Sequence, residues 1–145
     1  VTDGEICAMK LSKDLTHAVE EPRTLLKASQ APWTTKLDRK DRPNDEIYVT
    51  DGPFLHTLAD GRLDLVWSSF HNGDYAIGHC ISEHGIAGPF RHVAEPIFQK
   101  DGGHGMVFRD KEGRLMLTIH MPNHTPDERP VFFELKETSE GLTKV

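Results

Sequence analysis

Two short stretches of this chain set a carboxyl and an imidazole among glycines: Asp51-Gly52-Pro53 and Gly102-Gly103-His104-Gly105. Brought to one place, these groups could pass a proton or help to hold a cation. Glycine and proline limit side-chain bulk and fix the backbone, which suits a point where a ligand comes close. Taken singly, each stretch is also an ordinary turn sequence. Their register sets them apart. Asp51-Gly52-Pro53-Phe54-Leu55 leads into Gly61-Arg62-Leu63-Asp64-Leu65-Val66-Trp67. Gly103-His104-Gly105-Met106-Val107 leads into Gly113-Arg114-Leu115-Met116-Leu117-Thr118-Ile119. The two Gly-Arg-Leu-x-Leu cores are 52 residues apart, as are Gly52 and His104.

A period near 50 with several short strands per unit is the pattern of a β-propeller blade. Inner strands of a propeller line its axis, and the turns at one end form the natural pocket. Equivalent positions in consecutive blades therefore face one small volume. One whole blade is legible: inner strand Gly52 to His56, turn Ala59-Asp60-Gly61, and second strand Arg62 to Phe70. The turn His71-Asn72-Gly73-Asp74, third strand Tyr75 to Ser82, loop Gly85 to Pro89 and outer edge strand His92 to Phe98 complete it. Glu5 to Ser12 and Glu21 to Leu26 match its third and fourth strands, and a last copy runs from Gly103 to at least Leu135.

The expected fold is all-β, with about two and a half blades in 145 residues. A propeller needs at least about four blades to close. Residues 1–145 thus read as the C-terminal portion of one propeller domain whose N-terminal blades are absent. Ser12 to Val19 could make one helical turn and no more, and the longest irregular stretch is Trp33 to Glu46.

Net charge is −6, which argues against a nucleic-acid partner and fits a neutral ligand. Mean hydropathy is −0.50, and no apolar run approaches the roughly 20 residues of a membrane span. The chain has no initiator Met and no signal segment, and Val1 falls in a strand-like stretch. Cys7 and Cys80 have no metal-ligand spacing and read as small buried fillers rather than a disulfide.

Taken together, several motifs resemble glycoside hydrolase family 43, which includes arabinofuranosidases, arabinanases and β-xylosidases. They are Thr50-Asp51-Gly52-Pro53-Phe54-Leu55, Leu65-Val66-Trp67-Ser68-Ser69-Phe70, Tyr75-Ala76-Ile77-Gly78, Gly88-Pro89-Phe90 and Gly102 to Phe108. The resemblance runs from Gly4 to about Leu135. It implies a five-bladed propeller and hydrolysis of arabinose- or xylose-containing plant polysaccharide with inversion. It also implies a bacterial protein, secreted or periplasmic.

On the family pattern a Glu general acid stands before Gly-Pro in the third blade, the place that Asp51 takes here. Asp is one methylene shorter, so its carboxyl sits about 1.5 Å nearer its Cα. The general base and a second, tuning Asp would come from the missing blades. Inversion needs a protonated carboxyl and a carboxylate about 6.5–9.5 Å apart. His104 matches a position near the propeller axis, beside a cation that is commonly calcium. Imidazole is a poor direct ligand for calcium, so contact through water is expected.

The same resemblance gives Arg129 as a pocket arginine that bonds sugar hydroxyls, with a surface salt bridge as its other reading. Trp33 and Phe54 are candidates to stack on sugar, and His120, aligned with Ser68, to face the pocket. Trp67 reads as inter-blade core. Two other functions are compatible with the chain: a fructan- or sucrose-type propeller hydrolase, and a non-catalytic carbohydrate-binding propeller. The short Asp51 favours the second of these.

Overall fold

A computed structural model describes residues 2–145, and Val1, read as strand-like, lies outside them. Its strands are β1 (Glu5–Ala8), β2 (Arg23–Lys27), β3 (Asp51–Thr57), β4 (Leu63–His71) and β5 (Asp74–Ser82). They continue with β6 (Arg91–His92), β7 (Gly103–Arg109), β8 (Leu115–Met121), β9 (Arg129–Thr138) and β10 (Gly141–Lys144). All ladders are antiparallel: β1-β2, β3-β4-β5-β6 and β7-β8-β9-β10. The chain is thus all-β and supplies about two and a half propeller blades, with inner strands β3 and β7 side by side.

The repeat is physical as well as textual. Leu58 N–H donates to Arg62 O and Gly61 N–H to Leu58 O, both at 2.9 Å. One blade on, Asp110 N–H donates to Arg114 O at 3.1 Å and Gly113 N–H to Asp110 O at 3.0 Å. Gly61 and Gly113 take φ of 89° and 83°, which a side chain would resist. Arg62 folds back on Asp60 and Arg114 on Asp110, at 2.8 and 2.7 Å.

β4 and β5 are buried along most of their length, Asp64, Ser68, Ser69 and His79 included, because both faces of their sheet are covered. Alternation sends Leu65 and Trp67 towards the half blade, where they meet Ile6, Leu26, Trp33 and Cys80. Val66 points the other way, into a cluster with Ile77, Val107, Leu117, Ile119 and Leu142 of the two full sheets.

Polar clasps cross the seam between these sheets. Asp64, 0% exposed, binds His79 Nδ1 at 2.9 Å, and its Oδ2 accepts the β10 amide of Leu142 at 2.9 Å. Nearer the axis, His56 of β3 pairs with Glu137 of β9 at 3.1 Å, and Glu137 also accepts Ala59 N–H at 2.7 Å. A buried carboxylate with two such partners has its desolvation offset by hydrogen bonds.

Several sequence expectations are corrected. The outer strand His92 to Phe98 shrinks to β6 plus an isolated bridge between Phe98 and Ile77. Pro96 lies in that stretch and has no amide hydrogen for a ladder. The last blade extends past Leu135 and closes with β10. Cys7 is exposed while Cys80 is buried, and both are free thiols. Ser12 to Val19 forms a bonded turn, with Ser12 and His17 joined at 2.8 Å, and no helix. The Trp33–Glu46 stretch is tied to the β4–β5 turn: Thr35 N–H donates to Phe70 O, and Asn72 N–H to Thr35 Oγ1, each at 2.8 Å.

Candidate active site

β3 and β7 open in the same way. Their pairing slips between Asp51 and Phe54 and between Gly103 and Met106, so each begins with a bulge. Asp51 lies opposite Ser68 and Gly103 opposite His120. At the second residue of each bulge the backbone turns left-handed: Gly52 at φ 49° and His104 at φ 54°. Glycine does this freely, whereas histidine is held there at a cost.

The two bulges bring the candidate groups together. His104 Nδ1 is 3.3 Å from Asp51 Oδ1, with 55% and 46% of the side chains exposed. Oδ1 also accepts Gly52 N–H at 2.9 Å, and Oδ2 accepts the Tyr75 hydroxyl at 2.8 Å. His104 is fastened by its own amide, which donates to Ser68 Oγ at 2.8 Å. A Cβ on Gly52 would fall 2.7 Å from the His104 ring, so glycine lets the imidazole approach.

Tyr75 is clamped between rings. It stacks on His120 at 5.5 Å and 14°, and Phe70 tilts against it at 5.4 Å. Gly103 makes room, because a Cβ there would sit 2.6 Å from Tyr75 Cε1 and 2.8 Å from Ser68 Oγ. Burial above all, and then the bond to Asp51, push the Tyr75 phenol well above its ordinary value, with Ser68 pulling slightly the other way. The phenol therefore keeps its proton and acts as a donor.

The candidates divide sharply. Asp51, His104 and His120 gather at one end of the inner strands, with His104 and His120 rings 6.3 Å apart and His120 Nε2 2.9 Å from Asn123 Oδ1. Arg129 starts β9 one residue before Pro130, the partner of His120. Its guanidinium bonds the carbonyls of Pro126 and Glu128, at 3.0 and 2.7 Å, rather than an acid. Phe54 turns into the core between the sheets.

Trp33, expected to stack on sugar, is only 2% exposed and lies 4.8 Å from the ring of Trp67. It fills the space above Gly78, so neither face is open. Trp67 is core, as expected. Among the described residues no three His, Cys, Asp or Glu side chains gather as a metal cluster.

Sequence reasoning missed Tyr75 and Ser68 as members of the site. Ser68 stood at the position aligned with His120. Tyr75 is the second residue of β5, just after the turn, a place that brings its ring to the same end of the sheet as Ser68 and Asp51.

No protein-family model matches the sequence, and no curated protein does. Solved structures do. Over 94% of its length the chain is 40% identical to an endo-arabinase from Bacteroides thetaiotaomicron, at a TM-score of 0.86, and covers 48% of that protein. A thermostable family-43 glycoside hydrolase is 21% identical over 97% of the chain, at a TM-score of 0.75. An alpha-L-arabinofuranosidase from Lactobacillus brevis is likewise 21% identical over 97%, at a TM-score of 0.69. The chain carries the fold of the family 43 glycoside hydrolases, as its motifs around Asp51 and His104 lead one to expect. It spans about half the length of the structures it matches, 48% and 46% for the first two.

Proposed function

We propose that this chain supplies the acid-bearing blades of an inverting glycoside hydrolase acting on arabinose- or xylose-containing plant polysaccharide. The observation that carries the reading is Asp51, presented by a bulge on one inner strand and met by His104 from the equivalent bulge of the next. Likeness to an endo-arabinase at 40% identity supports an arabinan-type substrate over a xylan. Asp51 acts as general acid: its O–H bond breaks as the leaving glycosidic oxygen takes the proton. Water adds to the anomeric carbon from the opposite face and gives its proton to a carboxylate on another blade.

The remaining, N-terminal blades belong to the proposal and would bring the base and the tuning acid. The 145 residues alone would then lack activity. A calcium ion near the axis would be reached by His104 through water, its other ligands coming from water and from those blades. A secreted or periplasmic bacterial location suits such a substrate. Among the described residues no helix is long and apolar enough to cross a membrane.

Substituting Asp51→Asn in the complete propeller tests the role. Hydrolysis of an unactivated oligosaccharide should fall roughly 10²–10⁴-fold. A nitrophenyl glycoside should lose far less, because its leaving group departs without a proton. Equal losses would make Asp51 a sugar-positioning residue. No release of sugar from polysaccharide by the complete wild-type propeller would favour a non-catalytic binding propeller, the reading that the short side chain also allows.

A further inference from the structure

We infer that Tyr75 is a positioning residue for Asp51, fixing the orientation of the carboxyl that delivers its proton to the leaving group. The inference rests on the assignment of Asp51 as general acid and deepens it. The Tyr75 hydroxyl donates to Oδ2 at 2.8 Å and the Gly52 amide to Oδ1 at 2.9 Å, so the two bonds together fix the plane of the carboxyl. Oδ1 is the oxygen beside His104, the partly open residue at the ends of the inner strands.

The surroundings of Tyr75 suit that task better than they suit simple core filling. Its ring is buried and gripped by His120 and Phe70, so the hydroxyl has little freedom to leave Oδ2. The grip comes from two strands, β4 and β8, which tie both full blades to the orientation of one carboxyl. Gly103, at the bulge position equivalent to Asp51, leaves the space that the phenol ring occupies. The second blade thus gives up a side chain at its own bulge so that the first can hold its acid in place. A shorter acid also has fewer rotatable bonds to search, so one anchoring hydroxyl is enough to select a single orientation.

The test uses the complete propeller with two substrates, an arabino-oligosaccharide and a 4-nitrophenyl arabinofuranoside. Tyr75→Phe keeps the ring and its stacking and removes only the hydroxyl. The expected result is a fall in kcat of about 10–100-fold on the oligosaccharide, with KM within about twofold. The nitrophenyl substrate should lose less than about threefold, and the melting temperature should stay near that of the wild type. A role confined to packing would lower the melting temperature or reduce both substrates alike, and either result overturns the inference.

Gly103→Ala provides a second reading if Tyr75→Phe does not fold. Its added methyl displaces the phenol while leaving it present, and the same selective loss should follow. Failure of the parent assignment looks different. If Asp51→Asn keeps full activity on the oligosaccharide, Asp51 is not the acid. If Asp51→Asn shows the selective loss and Tyr75→Phe behaves as wild type, the inference about Tyr75 alone is wrong.

Discussion

Gly52 and His104 occupy the same point of two successive bulges and share a left-handed backbone, at φ 49° and 54°. In one blade that point carries no side chain, and in the next it carries an imidazole aimed at Asp51. The chain therefore accepts strain at His104 in order to present it.

That strain gives a first prediction. Alanine at 104 keeps the unfavourable φ and loses the imidazole, whereas glycine relieves it. His104→Gly should be more stable than His104→Ala by about 1 kcal/mol. Both should lose turnover if the imidazole acts at the site. Paired thermal melts and assays in the complete propeller check this. Equal melts would mean that the conformation at 104 costs nothing.

The clasp at Asp64 yields a second. Asp64→Ala leaves His79 and the Leu142 amide without their buried partner, and should cost about 3–5 kcal/mol. Asp64→Asn keeps the shape and one acceptor, so it should cost less. Denaturant titration of the two variants side by side decides the order.

A third concerns Gly78, which Trp33 covers so tightly that a Cβ would collide with its indole. Gly78→Ala should destabilise by about 1–3 kcal/mol, through displacement of the Trp33–Trp67 pair. Tryptophan fluorescence should shift with it. A wild-type spectrum and melt would show that the indole moves freely.

Acid should weaken the fold in two stages. Burial holds the His92 imidazole below its ordinary 6.5, so the unfolded chain takes up this proton first. Its stabilising effect is complete above about pH 6.5 and is lost as pH falls towards the folded value. Burial alone would raise Glu137, but the Ala59 amide and His56 outweigh it and hold the carboxyl below 4.5. Its effect is complete above about 4.5 and is lost as pH falls through the lowered value. Melting curves of wild type and His92→Gln between pH 7.5 and 5 should converge on acidification, and parallel curves would contradict the first stage.

The last prediction returns to the blade faces. Along β7 and β9 the even-numbered residues are the less covered ones, and Met106 and Phe132 are exposed. Residues 1–145 made alone should self-associate, while a complete propeller should not. Light scattering on the two would settle it. A monodisperse, cooperatively melting fragment would count against missing blades.

Much of this was legible in the sequence because a repeat is a statement about geometry. The Gly-Arg-Leu cores located the hairpins, and a common register put Asp51 and His104 at one rim. Other features depended on partners that a linear reading does not show. Trp33 borders the long loop, which made it look accessible, yet Gly78 on a distant strand opens a slot that buries it. Cys7 sits in an apolar run, but its side of β1 is not covered. Tyr75 passed as a strand residue because its importance lies in where the hydroxyl ends, beside Asp51 on another strand, 24 residues away in the chain.

Asp51–His104 near the axis and Asp64–Leu142 towards the periphery stitch the same seam at two radii. Two attachments at different distances from an axis prevent rotation as well as separation, so the wedge angle between these blades is set. The gap in which a sugar would meet Asp51 is accordingly a fixed calibre rather than an adjustable jaw. Selectivity among related sugars would then be varied by swapping loop residues at the rim, while the placing of Asp51 against His104 is inherited unchanged.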